Sequence, residues 1–176
     1  ASNLLGPTML KNRIYLGLAA AALNLLLAAS AGAAEEQKDK DKDTYEQNTV
    51  IKDATAFFGK GAEGIGGVVE KALKDHGRPN GYIRGEEVSG AFVVGLRYGD
   101  GTLTLKNKGS RIVNWQGPSI GFDVGGDASK VFVLVYNLEK MDDIFQRFPA
   151  VDGSLYFVAG TSINYHQSGN IILAPI

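Results

Sequence analysis

Gly90-Ala91-Phe92-Val93-Val94-Gly95-Leu96-Arg97-Tyr98 marks the chain as a β protein. Phe92, Val94, Leu96 and Tyr98 recur at every second position, the period of a strand with one covered face. Gly99-Asp100-Gly101 follows as a hairpin turn signal, and Thr102 to Lys106 resumes the alternation with Leu103 and Leu105. Working outward, Tyr82 to Arg84 is a short strand before this stretch, and Asn107 to Ser110 is a turn after it. Arg111 to Gln116 puts Val113 and Trp115 on one face. Ser119 to Val124 alternates Ile120, Phe122 and Val124 against Ser119, Gly121 and Asp123, and Gly125-Gly126-Asp127 turns again. Val131 to Tyr136 is apolar on both faces, which predicts a central, covered strand. Leu155 to Ile163 and Asn170 to Ala174 supply two more strands.

Two helices are predicted beside these strands. Thr49 to Lys74 repeats apolar residues at three and four spacing, with Thr49 placed as N-cap and Gly77 and Pro79 ending it. Gly59, Gly61, Gly64, Gly66 and Gly67 are costly inside a helix, at up to ~1 kcal/mol each. They mark a break, or a face where another backbone comes close. Leu138 to Phe148 reads as a short amphipathic helix. The expected fold is mainly β (α+β): a small antiparallel barrel or curved sheet, with one long N-terminal helix and one short helix covering an end or edge. A membrane-spanning barrel needs polar lumen positions, and Val131 to Tyr136 leaves no polar face.

The N-terminal part has a different character. Lys11 and Arg13 precede an uncharged run from Ile14 to Ala29, and Ala31-Gly32-Ala33 fits a small-residue cleavage pattern. Residues 1–33 are expected to be upstream sequence and a secretory signal peptide, cut before Ala34. A retained anchor fits less well, because the run is short for a ~20-residue span and is followed by no Lys/Arg cluster. Residues 34–48 read as a charged, flexible linker, and 49–176 as the folded domain. Asp39, Asp41 and Asp43 resemble part of a calcium loop, but Thr44 and Val50 stand where Gly and the bidentate Glu are needed.

Composition narrows the class. The chain has 176 residues; without the leader roughly 140 remain, enough for one domain with a real core. A formal net charge of −1 argues against nucleic acid as a partner. With no cysteine, an exported domain can be neither disulfide-stapled nor lipid-anchored through that residue, which suggests the bacterial periplasm. The 23 glycines are about twice the usual share and suit a tightly curved sheet.

Several motifs resemble catalytic or binding signatures. Gly59-Lys60-Gly61-Ala62-Glu63-Gly64 matches G-x-G-x-x-G, but helix precedes it and no βαβ unit surrounds it. Gly117-Pro118-Ser119-Ile120-Gly121 matches G-x-S-x-G, with Asp142, Asp143 or Asp152 and then His166 in hydrolase order. A nucleophile elbow places its Ser between strand and helix, whereas Ser119 starts a strand, so a structural turn at Gly117-Pro118 is favoured. His76 and His166 are the only histidines, and no metal site or cofactor is expected. His76 lies near a helix end, where a dipole contact explains it. Glu86 and Glu87 face opposite ways in a strand, and Trp115 and the tyrosines are read as core or barrel-rim residues, not as a stacking platform for bases.

Blocks along the chain carry a resemblance. Gly77-Arg78-Pro79-Asn80-Gly81-Tyr82-Ile83, Ser89-Gly90-Ala91-Phe92, Trp115-Gln116-Gly117-Pro118-Ser119 and Val135-Tyr136-Asn137-Leu138 are similar to the envelope integrity protein A family. The resemblance covers about Ala54 to Ile176. It implies an alphaproteobacterial periplasmic protein with a small soluble barrel-like domain, a role in maintaining the envelope and no assigned catalytic residues. It also implies a distant similarity to SYLF lipid-binding domains. Family members continue past the position of Ile176, so the chain is expected either to be a fragment or to leave an exposed sheet edge.

The leading expectation is therefore a non-enzymatic periplasmic protein that binds a lipid, a cell-wall component or a protein partner. A serine hydrolase using Ser119 and His166 is one alternative; an adaptor bound through an exposed edge is the other. An enclosed apolar cavity favours the lipid, and a filled interior favours the adaptor.

Overall fold

The computed structural model of the chain describes residues 42–59, 63–123 and 128–176, the side chains of 91–94 and 119–123 excepted. The expected leader, the linker up to residue 41, Lys60 to Ala62 and the Gly125-Gly126-Asp127 turn lie outside the described residues. The elements run α1 (Gln47–Phe58), α2 (Ile65–His76), β1 (Gly81–Leu105), β2 (Gly109–Asp123), β3 (Ser129–Tyr136), a 3-10 turn (Met141–Ile144), β4 (Tyr156–Val158), β5 (Thr161–Ile163), β6 (His166–Ser168) and β7 (Ile171–Pro175). Five strands form an antiparallel sheet in the order β2-β1-β3-β7-β6, and β4 and β5 form a separate hairpin.

β3 is the central, covered strand that its composition predicts. Phe132, Leu134 and Tyr136 meet Val50 and Ala54 of α1 and Val68, Val69 and Ala72 of α2. Val133 and Val135 face the other way, onto Leu103 and Leu105 of β1, Val113 of β2 and Leu138. Full burial of such a side chain stabilises by roughly 1.5–3 kcal/mol, so β3 ties the two apolar clusters together.

The long N-terminal helix is instead two helices of 12 residues each. Gly59 ends α1 at φ 76, a backbone conformation that disfavours any side chain with a Cβ. Gly64 is required for another reason: a Cβ there would stand 2.3 Å from Val158 O of the β4–β5 hairpin. Both readings of the glycine run, a break and a close approach, therefore apply at different residues. α1 begins at Gln47 with Glu46 as N-cap, not Thr49. The chain just before it is fastened down: Tyr45 N–H donates to Pro79 O at 2.8 Å, and Arg78 Nε donates to Tyr45 O at 3.1 Å.

The hairpin expected at Gly99-Asp100-Gly101 does not form. β1 continues as one strand of 25 residues, pairing with β3 over 81–87 and with β2 over 91–105. Its glycines permit bending, not turning. A Cβ on Gly85 would lie 2.2 Å from Asp100 O and 2.9 Å from Gly101 Cα. Lys106 N–H donates to Asn80 O at 3.0 Å. The two ends of β1 thus pass against each other, and the sheet curls toward a barrel. The reversal comes at the next turn, as expected, where Asn107 has φ 62 and Gly109 φ 87. β2 likewise runs unbroken through Gly117 and Pro118, where a turn was expected. It ends the strand order, and an edge strand tolerates a residue without an N–H.

The C-terminal part also differs from its expected elements. The short helix from Leu138 to Phe148 is reduced to the four-residue 3-10 turn Met141–Ile144. Asn80 occupies both backbone groups of Leu138, donating to its O at 2.8 Å and accepting from its N at 3.3 Å, so no helix starts there. The strand from Leu155 to Ile163 is the tight β4–β5 hairpin, because Ala159 and Gly160 both take positive φ.

Candidate functional site

The bend of β1 assembles a cluster from three distant stretches. Glu87 comes from the first half of β1, Arg97 from the second and Trp115 from β2. Trp115 Nε1 donates to Glu87 Oε2 at 2.7 Å, and an Arg97 guanidinium nitrogen lies 3.8 Å from Glu87 Oε1. Register explains the fit. Gly99 stands opposite Trp115 and Gly117 opposite Arg97, so each large side chain lies over a residue without one. A Cβ on Gly99 would come within 2.1 Å of the indole. Glu86, the next residue along, is exposed on the other face, as the alternation of a strand requires.

On the outer side of the same ribbon, Tyr98 faces Gln116 and Asp100 faces Asn114. These four, with Val88, Gly99 and Trp115, line an open cleft of about 430 Å³. Tyr98 is 52% exposed and the neighbouring Leu96 59%. A second open groove lies between the 3-10 turn and the β6–β7 turn, lined by polar groups. Many of these already bond one another, as Ser168 Oγ does to Gln146 Oε1 at 2.8 Å and Asn137 Nδ2 to Asn170 O at 2.9 Å.

A titratable cluster sits at the end of α2. Tyr165 OH donates to Asp75 Oδ2 at 2.7 Å, and Lys71 also bonds Asp75. The Lys71 and then the Tyr165 hydrogen bond hold the Asp75 carboxyl below its usual range. The His76 ring meets Tyr165 edge-on at 4.4 Å and Tyr136 at 5.5 Å. Burial pushes His76 down and both tyrosines up, so the phenols stay protonated and supply no base. His76 ends its helix as the sequence suggests, and burial outweighs the pull of Asp75 on it.

Ser119 and His166 are not brought together by topology. Ser119 lies within β2, paired with Gly95, and His166 lies in β6 at the other end of the strand order, with β1, β3 and β7 between. His166 Nδ1 is 3.1 Å from Phe148 O. Among the described residues no group of three His, Cys, Asp or Glu could hold a metal ion, and no helix is long and apolar enough to cross a membrane. Nothing in the sequence flagged the Glu87–Arg97–Trp115 contact; the glycines opposite Trp115 and Arg97 are its only trace.

A curled antiparallel sheet with two covering helices, two apolar clusters tied by β3 and an open cleft define a small barrel-like β domain. The family model for envelope integrity protein A matches residues 43–176, and the chain belongs to that family. Membership associates it with the cell envelope and its integrity. Among solved structures it is similar to a beta-barrel-like, uncharacterized protein from Brucella abortus, with 47% identity and a TM-score of 0.69, over 76% of this chain and 82% of that one. No curated protein matches the chain.

Proposed function

We propose that this chain is an exported, non-enzymatic protein of the periplasm that supports the envelope by holding an envelope component on its outer surface. The observation that carries this reading is the filled space between β1, β2 and β3 among the described residues. Leu103, Leu105, Val133, Val135 and Leu138 are all buried against one another where a lipid-carrying barrel needs space. The two clefts described above are open and lined in part by polar side chains. Family membership supports the envelope role, and the charged start, apolar run and small-residue site of residues 11–33 support export. The placement of Ser119 and His166 on opposite end strands weighs against the hydrolase alternative.

Affinity capture from detergent-solubilised envelope fractions tests the surface reading, with native mass spectrometry of the purified protein alongside. Recovery of a saturable envelope ligand, with no lipid held inside the protein, is the expected result. A stoichiometric co-purifying lipid, or no retained envelope component, overturns it. N-terminal sequencing of the protein from a periplasmic extract should begin at Ala34; a chain retained in the membrane fraction with its leader removes the export part.

A further inference from the structure

Resting on that surface reading, we propose that the patch formed by Tyr98, Gln116, Asp100 and Asn114 is a carbohydrate-binding site that takes a neutral or amino sugar of an envelope glycan. Register assembles the patch. Tyr98 is paired with Gln116, and two residues along the same face Asp100 is paired with Asn114. Side chains so placed are ~4.5–5.5 Å apart at Cβ across the strands and form one tile.

The tile has the chemistry a sugar ring requires. A pyranose presents a flat C–H face and a rim of hydroxyls, each both donor and acceptor. Tyr98, half exposed, offers an aromatic face to the first. Two primary amides and a carboxylate offer both bonding roles to the second. None of the Asp100, Asn114 or Gln116 side chains has a hydrogen-bond partner among the described residues. Behind the tile, on the opposite face of the ribbon, Trp115 lies over Gly99 and bonds Glu87, so the two strands that carry the tile are fixed in place. The cleft of about 430 Å³ is in the size range of small-molecule sites.

Charge narrows the sugar. Glu87 is answered by Arg97, whereas Asp100 has no ion-pair partner among the described residues. An uncompensated carboxylate repels phosphate and uronate and accepts hydroxyls or an amine. The polar groove by β6 has no aromatic platform, and its bonding groups are largely spent on one another.

Trp115 is the only tryptophan of the chain, and its indole lies behind the tile, so its emission reports on the ribbon that carries it. The full chain is titrated with chitotetraose, with de-acetylated glucosamine oligomers and with polygalacturonate, by fluorescence and by calorimetry. Saturable binding of the first two at millimolar affinity or better is expected; polygalacturonate should not bind. Tyr98→Ala, with unchanged circular dichroism, should weaken binding about tenfold or more. Asp100→Asn should admit polygalacturonate. Sedimentation with purified sacculi and with lipopolysaccharide vesicles then separates the two sources of glycan. If no sugar binds by either method while an envelope protein is still captured, the carbohydrate assignment falls and the surface reading stands. If nothing from the envelope is captured, both fall. Sugar binding that Tyr98→Ala leaves untouched overturns the site.

Discussion

Trp115 Nε1 donates to Glu87 Oε2 at 2.7 Å, and this bond joins the two arms of a single bent strand through a third segment. The Glu87 side chain is 18% exposed, and Arg97 completes its surroundings. A half-buried, charge-assisted bond contributes more than a neutral one, about 1.5–3 kcal/mol. Glu87→Ala should lower stability by that order in urea unfolding and shift Trp115 emission to the red. Glu87→Gln keeps an acceptor and should lose less. Equal losses for the two variants would deny the bond its role.

The crossing of β1 on itself predicts a steep glycine dependence. Gly85→Ala places a Cβ 2.2 Å from Asp100 O, a backbone atom with no rotamer to escape into. A loss of at least the roughly 1–3 kcal/mol typical of overpacking is expected, read from the urea midpoint. Gly90→Ala on the same strand meets nothing within 4 Å and should stay within about 0.5 kcal/mol of the parent. Comparable effects at both positions would contradict the bend.

His76 sets a pH dependence. Burial pushes it down, against the pull of Asp75 and with the push of Lys71; Tyr136 and Tyr165 face its ring. The folded form therefore binds a proton less readily than the unfolded chain, whose histidine titrates near ~6.5. Stability is full above that value and declines as pH falls through and below it. The Asp75 carboxyl, also held low, adds a loss of the same sign at more acidic pH. Urea midpoints at pH 7.5 and 5.5 should differ in the parent, and His76→Gln should reduce the difference. A parent with a flat profile would refute the assignment.

Tyr136 carries a hydroxyl that is buried without a hydrogen-bond partner among the described residues, while its ring fills the core between β3 and the helices. Tyr136→Phe removes an unsatisfied polar atom and keeps the packing. The change should be neutral or stabilising by about 1 kcal/mol, whereas Leu134→Ala, one pair of strand positions away, should cost about 2–5 kcal/mol. Thermal unfolding of the two variants separates these outcomes, and a marked loss in Tyr136→Phe would show that the hydroxyl is bonded.

What could be read in advance follows from how local the signal is. Val131 to Tyr136 is apolar at both parities, and that alone placed β3 at the centre with both faces covered. The turn after Leu105 was equally legible, because Asn and Gly are the residues that accept positive φ. Gly99-Asp100-Gly101 was not, because a glycine that bends a strand and one that reverses it look alike. Only the distant Gly85 and Trp115 tell them apart. The helix at Leu138 failed for the same kind of reason, since its competitor is Asn80, 58 positions earlier. The cleft was not legible. The alternation put Tyr98 and Leu96 on a covered face, yet both are exposed, and the pairing of Tyr98 with Gln116 depends on a register that a false hairpin had hidden.

The bond between Lys106 N–H and Asn80 O closes the curl of β1 using neighbours in the chain, not partners from its far end. Synthesis delivers a polypeptide from its N-terminus, so this closure and the β1–β2 ribbon can be completed before β7 has emerged. Contacts of short sequence separation also form fastest. Pulse-labelled hydrogen exchange should accordingly protect residues 81–105 ahead of 171–175. The most demanding curvature of the molecule is then settled early, and the later strands are laid onto a template that already has its shape.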